Sequence, residues 1–155
     1  MAYDNVFRMG EAPPKEEINE KLKSSLAILY QQDSYLLKKN SHEISIAHRL
    51  ALYIQQKFDA WHVDCEYNRD YTGNKKRING EIVRPDIIIH RRETRKDNLV
   101  IILIKKMSGN LSEKKKDLKK LSGYKKELGY RYAIFLEIGT GSEDYGKYSF
   151  EYVEP

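Results

Sequence analysis

Arg84-Pro85-Asp86-Ile87-Ile88-Ile89-His90-Arg91-Arg92, followed after a short polar link by Leu99-Val100-Ile101-Ile102-Leu103-Ile104-Lys105, decides the fold. Neither run alternates. Both are continuous and rich in β-branched residues, which suits strands covered on two faces. The link over 93–98 is short enough for an antiparallel hairpin. Central strands are therefore expected over 86–92 and 99–105. A hairpin centred near Arg95 and Lys96 sets Asp86 opposite Lys105 and Leu103 opposite Ile88. Residues 103 and 105 share a face by the two-residue period. A carboxylate and a lysine then meet at the end of two buried strands.

Working outward, 111–128 reads as a helix with Leu111, Leu118, Leu121 and Leu128 along one side, closed by Gly129. Strands follow over 130–138 and 147–153. The intervening Gly139-Thr140-Gly141-Ser142 follows a strand but precedes no helical pattern, so it reads as a turn and not as a phosphate-cradling loop. On the N-terminal side, Trp61, Val63, Cys65 and Tyr67 alternate with His62, Asp64, Glu66 and Asn68, a strand with one polar face. The stretch 68–80 carries Thr72-Gly73-Asn74 and Asn79-Gly80 and reads as a mobile loop or hairpin connection. Before the strand, Asn40 and Glu43 have capping-box spacing, and Ile44, Ala47, Ala51, Ile54 and Phe58 form a helical stripe. An earlier helix carries Ile18, Leu22, Leu26 and Leu29, with Tyr35-Leu36-Leu37 as an apolar link. The expected organisation is an arm over 1–14, an N-terminal helix and link over 15–39, and an α/β domain over 40–155. Its mixed sheet has four or five strands flanked by helices.

The chain of 155 residues is long enough to bury a core, and 40% hydrophobic with 33% charged content fits a globular protein. No apolar run reaches the roughly 18–20 residues of a membrane span, and 1–14 lacks a signal-like apolar region. Cys65 is the sole cysteine, which excludes an internal disulfide and a cysteine-rich zinc site. A cytoplasmic protein is the simplest expectation. The net charge of +5 permits nucleic acid as a partner without requiring it. The twelve tyrosines are expected at the edge of the core with wet hydroxyls.

Glu43 lies in line with Ala47, Leu50 and Ile54, on the core-facing side of its helix. The element order αβββαβ, Pro85-Asp86 opening the second core strand, and Lys105 two residues after position 103 together resemble the PD-(D/E)XK nuclease superfamily. The resemblance spans about 40–138 and extends to Cys65-Glu66-Tyr67-Asn68-Arg69. It implies a restriction-endonuclease-like fold and metal-dependent hydrolysis of phosphodiester bonds, with magnesium or manganese as cofactor. Asp86, Glu43 and the backbone carbonyl of Ile104 are then the metal ligands, and Asp86, Lys105 and Glu43 the catalytic set. Leu103 departs from the pattern, because the family has an acid or glutamine there and leucine binds no hard cation. Glu66 is an acid that reaches the site from the neighbouring strand if that loss is compensated. The other implied role is a catalytically inactive nuclease-fold module that binds nucleic acid or a protein partner.

Arg91 and Arg92 beside the hairpin, with Lys106 and Lys114, are the candidate nucleic-acid contacts. The lysine-rich helix face over 114–126 either follows a phosphate backbone or forms a solvated exterior with i, i+4 pairs. The four histidines have no metal-ligand spacing. His90 shares a strand face with Asp86 and reads as packing or as lining the site.

Overall fold

In the computed structural model the two apolar runs form neighbouring strands, β4 (Ile87–His90) and β5 (Val100–Lys106), paired antiparallel. The structure describes residues 12–39, 42–67, 77–78, 81–82, 84–92, 94–107 and 110–154. The elements before β4 are α1 (Lys15–Gln32), α2 (Ser34–Lys38), α3 (Glu43–Lys57), β1 (His62–Cys65), β2 (Arg77–Ile78) and β3 (Glu81–Ile82). After β5 come α4 (Leu111–Leu128), β6 (Tyr132–Ile138), the one-turn α5 (Gly141–Asp144) and β7 (Tyr148–Tyr152). The main sheet runs β1-β4-β5-β6-β7, while β2 and β3 pair only with each other. β5 and β6 are parallel, joined through α4, and every other pairing is antiparallel.

Alternation within β4, β5 and β6 divides the core. Ile87, Ile89, Val100, Ile102, Ile104, Ile134 and Leu136 point to one face, against Ile18, Leu22 and Leu26 of α1 and Ala47, Leu50 and Ile54 of α3. Ile88, Ile101, Leu103, Ala133 and Phe135 point to the other, against Leu121, Tyr124 and Leu128 of α4. β5 is therefore apolar at consecutive positions because both of its faces are covered. Gly129 ends α4 at φ 73°, a conformation glycine adopts without a side-chain penalty.

Several sequence expectations need correction. The capping position of α3 is His42, with no side-chain cap bond, and Asn40 lies outside the described residues. Ile44 is exposed, and the buried stripe of α3 runs through Ile46, Ala47, Leu50, Ala51 and Ile54. Leu111 is likewise exposed, and Tyr124 joins the buried side of α4. The link at 35–37 is helical, with Leu37 buried. Gly141–Asp144, expected as a turn, is one turn of helix. Several of the described tyrosine hydroxyls bond to protein. Tyr30 donates to the Lys147 carbonyl, Tyr145 to the Tyr30 carbonyl, Tyr132 to the Pro13 carbonyl and Tyr152 to Asn19. These bonds fasten α1 and 12–14 to the far edge of the sheet, so α1 belongs to the domain core. The loop motifs Thr72-Gly73-Asn74 and Asn79-Gly80 and residues 1–11 of the arm lie outside the described residues.

Candidate functional site

Pro85 is buried and Asp86 stands at the entrance of β4. The Glu66 N–H donates to the Asp86 carbonyl at 3.3 Å. The Ile104 N–H donates to Asp86 Oδ2 at 2.7 Å, fixing the carboxylate against β5. The strands pair Ile87 with Ile102 and Ile88 with Ile101. Continued by one residue, this register sets Leu103 opposite Asp86. The expected partners, Lys105 for Asp86 and Ile88 for Leu103, are therefore wrong by two residues. Because the error is even, Asp86, Leu103 and Lys105 still share one face.

The Asp86 carboxyl is pushed up to about 6. Burial is the main cause. The Ile104 N–H opposes it, the negative charge of Glu43 adds to it, Lys105 opposes it and Glu66 adds to it. Three elements thus bring acids into one field: α3 with Glu43 at its first turn, the end of β1 with Glu66, and β4 with Asp86. Glu66 has φ 48°, in the left-handed region that non-glycine residues seldom enter. That twist ends the strand alternation. Tyr67 consequently turns to the opposite face from Val63 and Cys65, and its ring lies 4.9 Å from His90.

These residues do not complete the metal site that the sequence pattern implies. Leu103, 8% exposed, fills the position facing Asp86 with hydrocarbon. Among the described residues no three His, Cys, Asp or Glu stand close enough together to hold an ion. The Ile104 N–H is taken by the Asp86 carboxylate. Lys105 makes its ion pair with Asp117 of α4, at 3.8 Å, and not with Asp86.

The candidate nucleic-acid contacts separate into two places. Arg91 and Arg92 follow β4, about 16–20 Å along the chain direction from Asp86 at strand rise. The Arg91 guanidinium lies 4.0 Å from the Trp61 ring centroid and 3.3 Å from Asp97. Arg92 makes a two-pronged pair with Asp64, at 3.1 and 2.6 Å. Lys106 and Lys114 lie at the site end, in a small cleft shared with Lys105, Asn110, Asp117 and Glu137. Lys114 reaches Glu137 at 3.1 Å and Glu151 at 3.8 Å.

His90 is buried and bonded through Nε2 to Asp64 at 2.7 Å, so it packs within a polar cluster instead of lining the Asp86 site. Burial raises the Asp64 pKa, but the bonds from His90 and Arg92 outweigh it and hold the carboxyl well below the usual range. Sequence reading missed this cluster. Its only local signal is that Asp64 belongs to the polar set of one strand while His90 interrupts an apolar run in another. Asp117, the partner of Lys105, gave no local signal. No helix among the described residues is long and apolar enough to cross a membrane. Comparison with protein-family models, with curated proteins and with solved structures finds no match to this chain.

Proposed function

We propose that this chain is a PD-(D/E)XK nuclease-like domain whose hydrolytic centre has lapsed and whose present role is to bind nucleic acid. The observation that carries the reading is Leu103, buried where the β4–β5 register, continued by one residue, meets Asp86, in the strand where that superfamily places a metal-binding acid. The element order supports the relationship: a helix, three antiparallel strands, a crossover helix and a parallel strand. So does the retention of Asp86, Glu43 and Lys105 at one end of the sheet. The missing oxygen ligand argues against magnesium- or manganese-dependent turnover.

One observation favours a second reading, in which phosphodiester hydrolysis persists. Glu43 and Glu66 both raise the Asp86 carboxyl electrostatically, so acids other than one at 103 share its field.

The test incubates the protein with plasmid, single-stranded DNA and RNA in magnesium and then manganese, beside Leu103→Glu and Lys105→Ala variants, and measures cleavage and binding together. Binding without cleavage, with cleavage gained in Leu103→Glu, is the expected result. Cleavage by the unaltered protein that disappears in Lys105→Ala would establish the second reading. Neither cleavage nor binding in any variant would remove the nuclease-like assignment.

A further inference from the structure

The outward face of α4 combines two features that each oppose helix stability. Ser112, Lys116, Lys119, Gly123 and Lys126 succeed one another at spacings of four, three, four and three, and so form one line along the helix. This line lies opposite the buried Leu121, Tyr124 and Leu128. Lys116, Lys119 and Lys126 are exposed on it, with Lys115 and Lys120 exposed to either side. The pairs Lys115–Lys119 and Lys116–Lys120 are like charges at i, i+4, which repel. Glu113 and Glu127 are the exposed acids nearby, at the two ends of the run.

Gly123 is the independent observation. A glycine in a helix interior costs stability relative to alanine unless packing or a special backbone angle requires it. Here neither does. A Cβ built at Gly123 meets nothing within 4 Å, and its φ lies outside the positive range in which Gly129 is found. Gly123 thus leaves helix backbone without a side chain between exposed lysines, on the side of α4 away from Leu121, Tyr124 and Leu128. Local rules broken together without internal compensation mark a surface shaped for something outside the chain.

We propose that this face of α4 is the docking surface for the phosphate backbone of nucleic acid, with Gly123 the point of closest approach. The proposal rests on the nucleic-acid-binding role above and assigns it a surface. Lys116 to Lys126 covers about 15 Å of helix, enough to meet several successive phosphates. The line carries no apolar side chain to insert into lipid, which favours nucleic acid over an anionic membrane.

The test measures fluorescence anisotropy of short labelled DNA duplex, single-stranded DNA and RNA over a salt series. It compares the unaltered protein, a Lys116→Ala/Lys119→Ala/Lys126→Ala triple, a control triple at exposed lysines elsewhere (Lys23→Ala/Lys39→Ala/Lys96→Ala) and Gly123→Leu. Both triples remove the same charge from the net +5. The α4 triple should lose roughly tenfold or more in affinity, and its salt slope should flatten by about 3, while the control triple changes little. Gly123→Leu should melt higher by a few degrees yet bind more weakly. Equal losses in the two triples, or undiminished affinity in Gly123→Leu, would overturn the surface while leaving the nucleic-acid role standing. No binding by the unaltered protein would overturn both. Binding instead to phosphatidylcholine–phosphatidylserine vesicles through the same lysines would transfer the face to membranes and reject the proposal.

Discussion

Replacing Asp86 with asparagine should stabilise the protein at neutral and alkaline pH and leave it nearly unchanged in acid. Asparagine keeps an oxygen to accept the Ile104 N–H, so the bond that orients the side chain survives. What disappears is the charge. The ordinary carboxyl value is 3.8 and Asp86 is pushed to about 6, by burial first, against the Ile104 bond, with Glu43 adding. Below the lower value both folded and unfolded chains hold the proton. Between the two values the folded chain keeps it and the unfolded chain releases it, so stability falls as pH rises. Above about 6 the whole cost is present. At 1.36 kcal/mol per pH unit the displacement is worth at most about 3 kcal/mol, and incomplete burial reduces this to about 2 kcal/mol. For a domain of this size that is roughly 4–8 °C in melting temperature. Urea unfolding of both proteins near pH 4 and near pH 8 supplies the comparison, because other titrating groups cancel in the difference. A difference that does not change with pH would mean that Asp86 ionises normally, and the crowded acidic site would be refuted. In a Glu43→Gln background the pH-dependent gain should shrink, since one source of repulsion is already gone.

Asp64→Asn should destabilise by about 1–3 kcal/mol at neutral pH, because it weakens the bonds to buried His90 and to Arg92. Since the Asp64 value is depressed, that loss should shrink as pH falls below the ordinary carboxylate range, a trend that acid unfolding curves will display. Gly139→Ala should cost about 3 kcal/mol or more, measurable by thermal melting, because its new methyl group would overlap the Asp144 carbonyl and lie 2.8 Å from that of Lys147. Burial raises the Tyr30 hydroxyl to about 12, so the unaltered protein should lose stability as pH climbs from about 10 to 12, and Tyr30→Phe should lose less in a circular-dichroism titration.

The parts of the fold that were legible are those set by local periodicity. The bounds of α1 and α4 followed from apolar spacing, and Gly129 marked where α4 stops. The central strands announced themselves because burial on two faces leaves no polar position. Register was not legible, because it depends on the hairpin link. There the Arg91 N–H meets the Asp97 carbonyl and the Leu99 N–H meets that of Ile89. Moving the turn centre by one residue moves the pairing by two, which leaves every side chain on its face. Asp86 and Lys105 therefore remained on the same face even though their pairing was misread. The Lys105–Asp117 contact joins a strand to the middle of the next helix, and no local spacing encodes it. The positive φ of Glu66 was equally hidden, and it is what turned Tyr67 away from the face the alternation assigned to it.

Leu103, Asp86 and Lys105 make a coherent set when their charges are considered together. An acid at 103 would stand near a carboxyl that burial first, and then the charges of Glu43 and Glu66, already push up to about 6. Without a cation, that arrangement concentrates negative charge in a half-buried space, and proteins tolerate such strain mainly where function requires it. Leucine removes the conflict and adds apolar contact with Phe135 and Ile88 in the core beneath α4. Lys105 pairs with Asp117 of α4. Leucine at 103 therefore avoids added repulsion and contributes packing. The proposed phosphate-binding face of α4 lies on the opposite side of the helix from Leu121 and Tyr124, so it does not depend on which residue stands at 103.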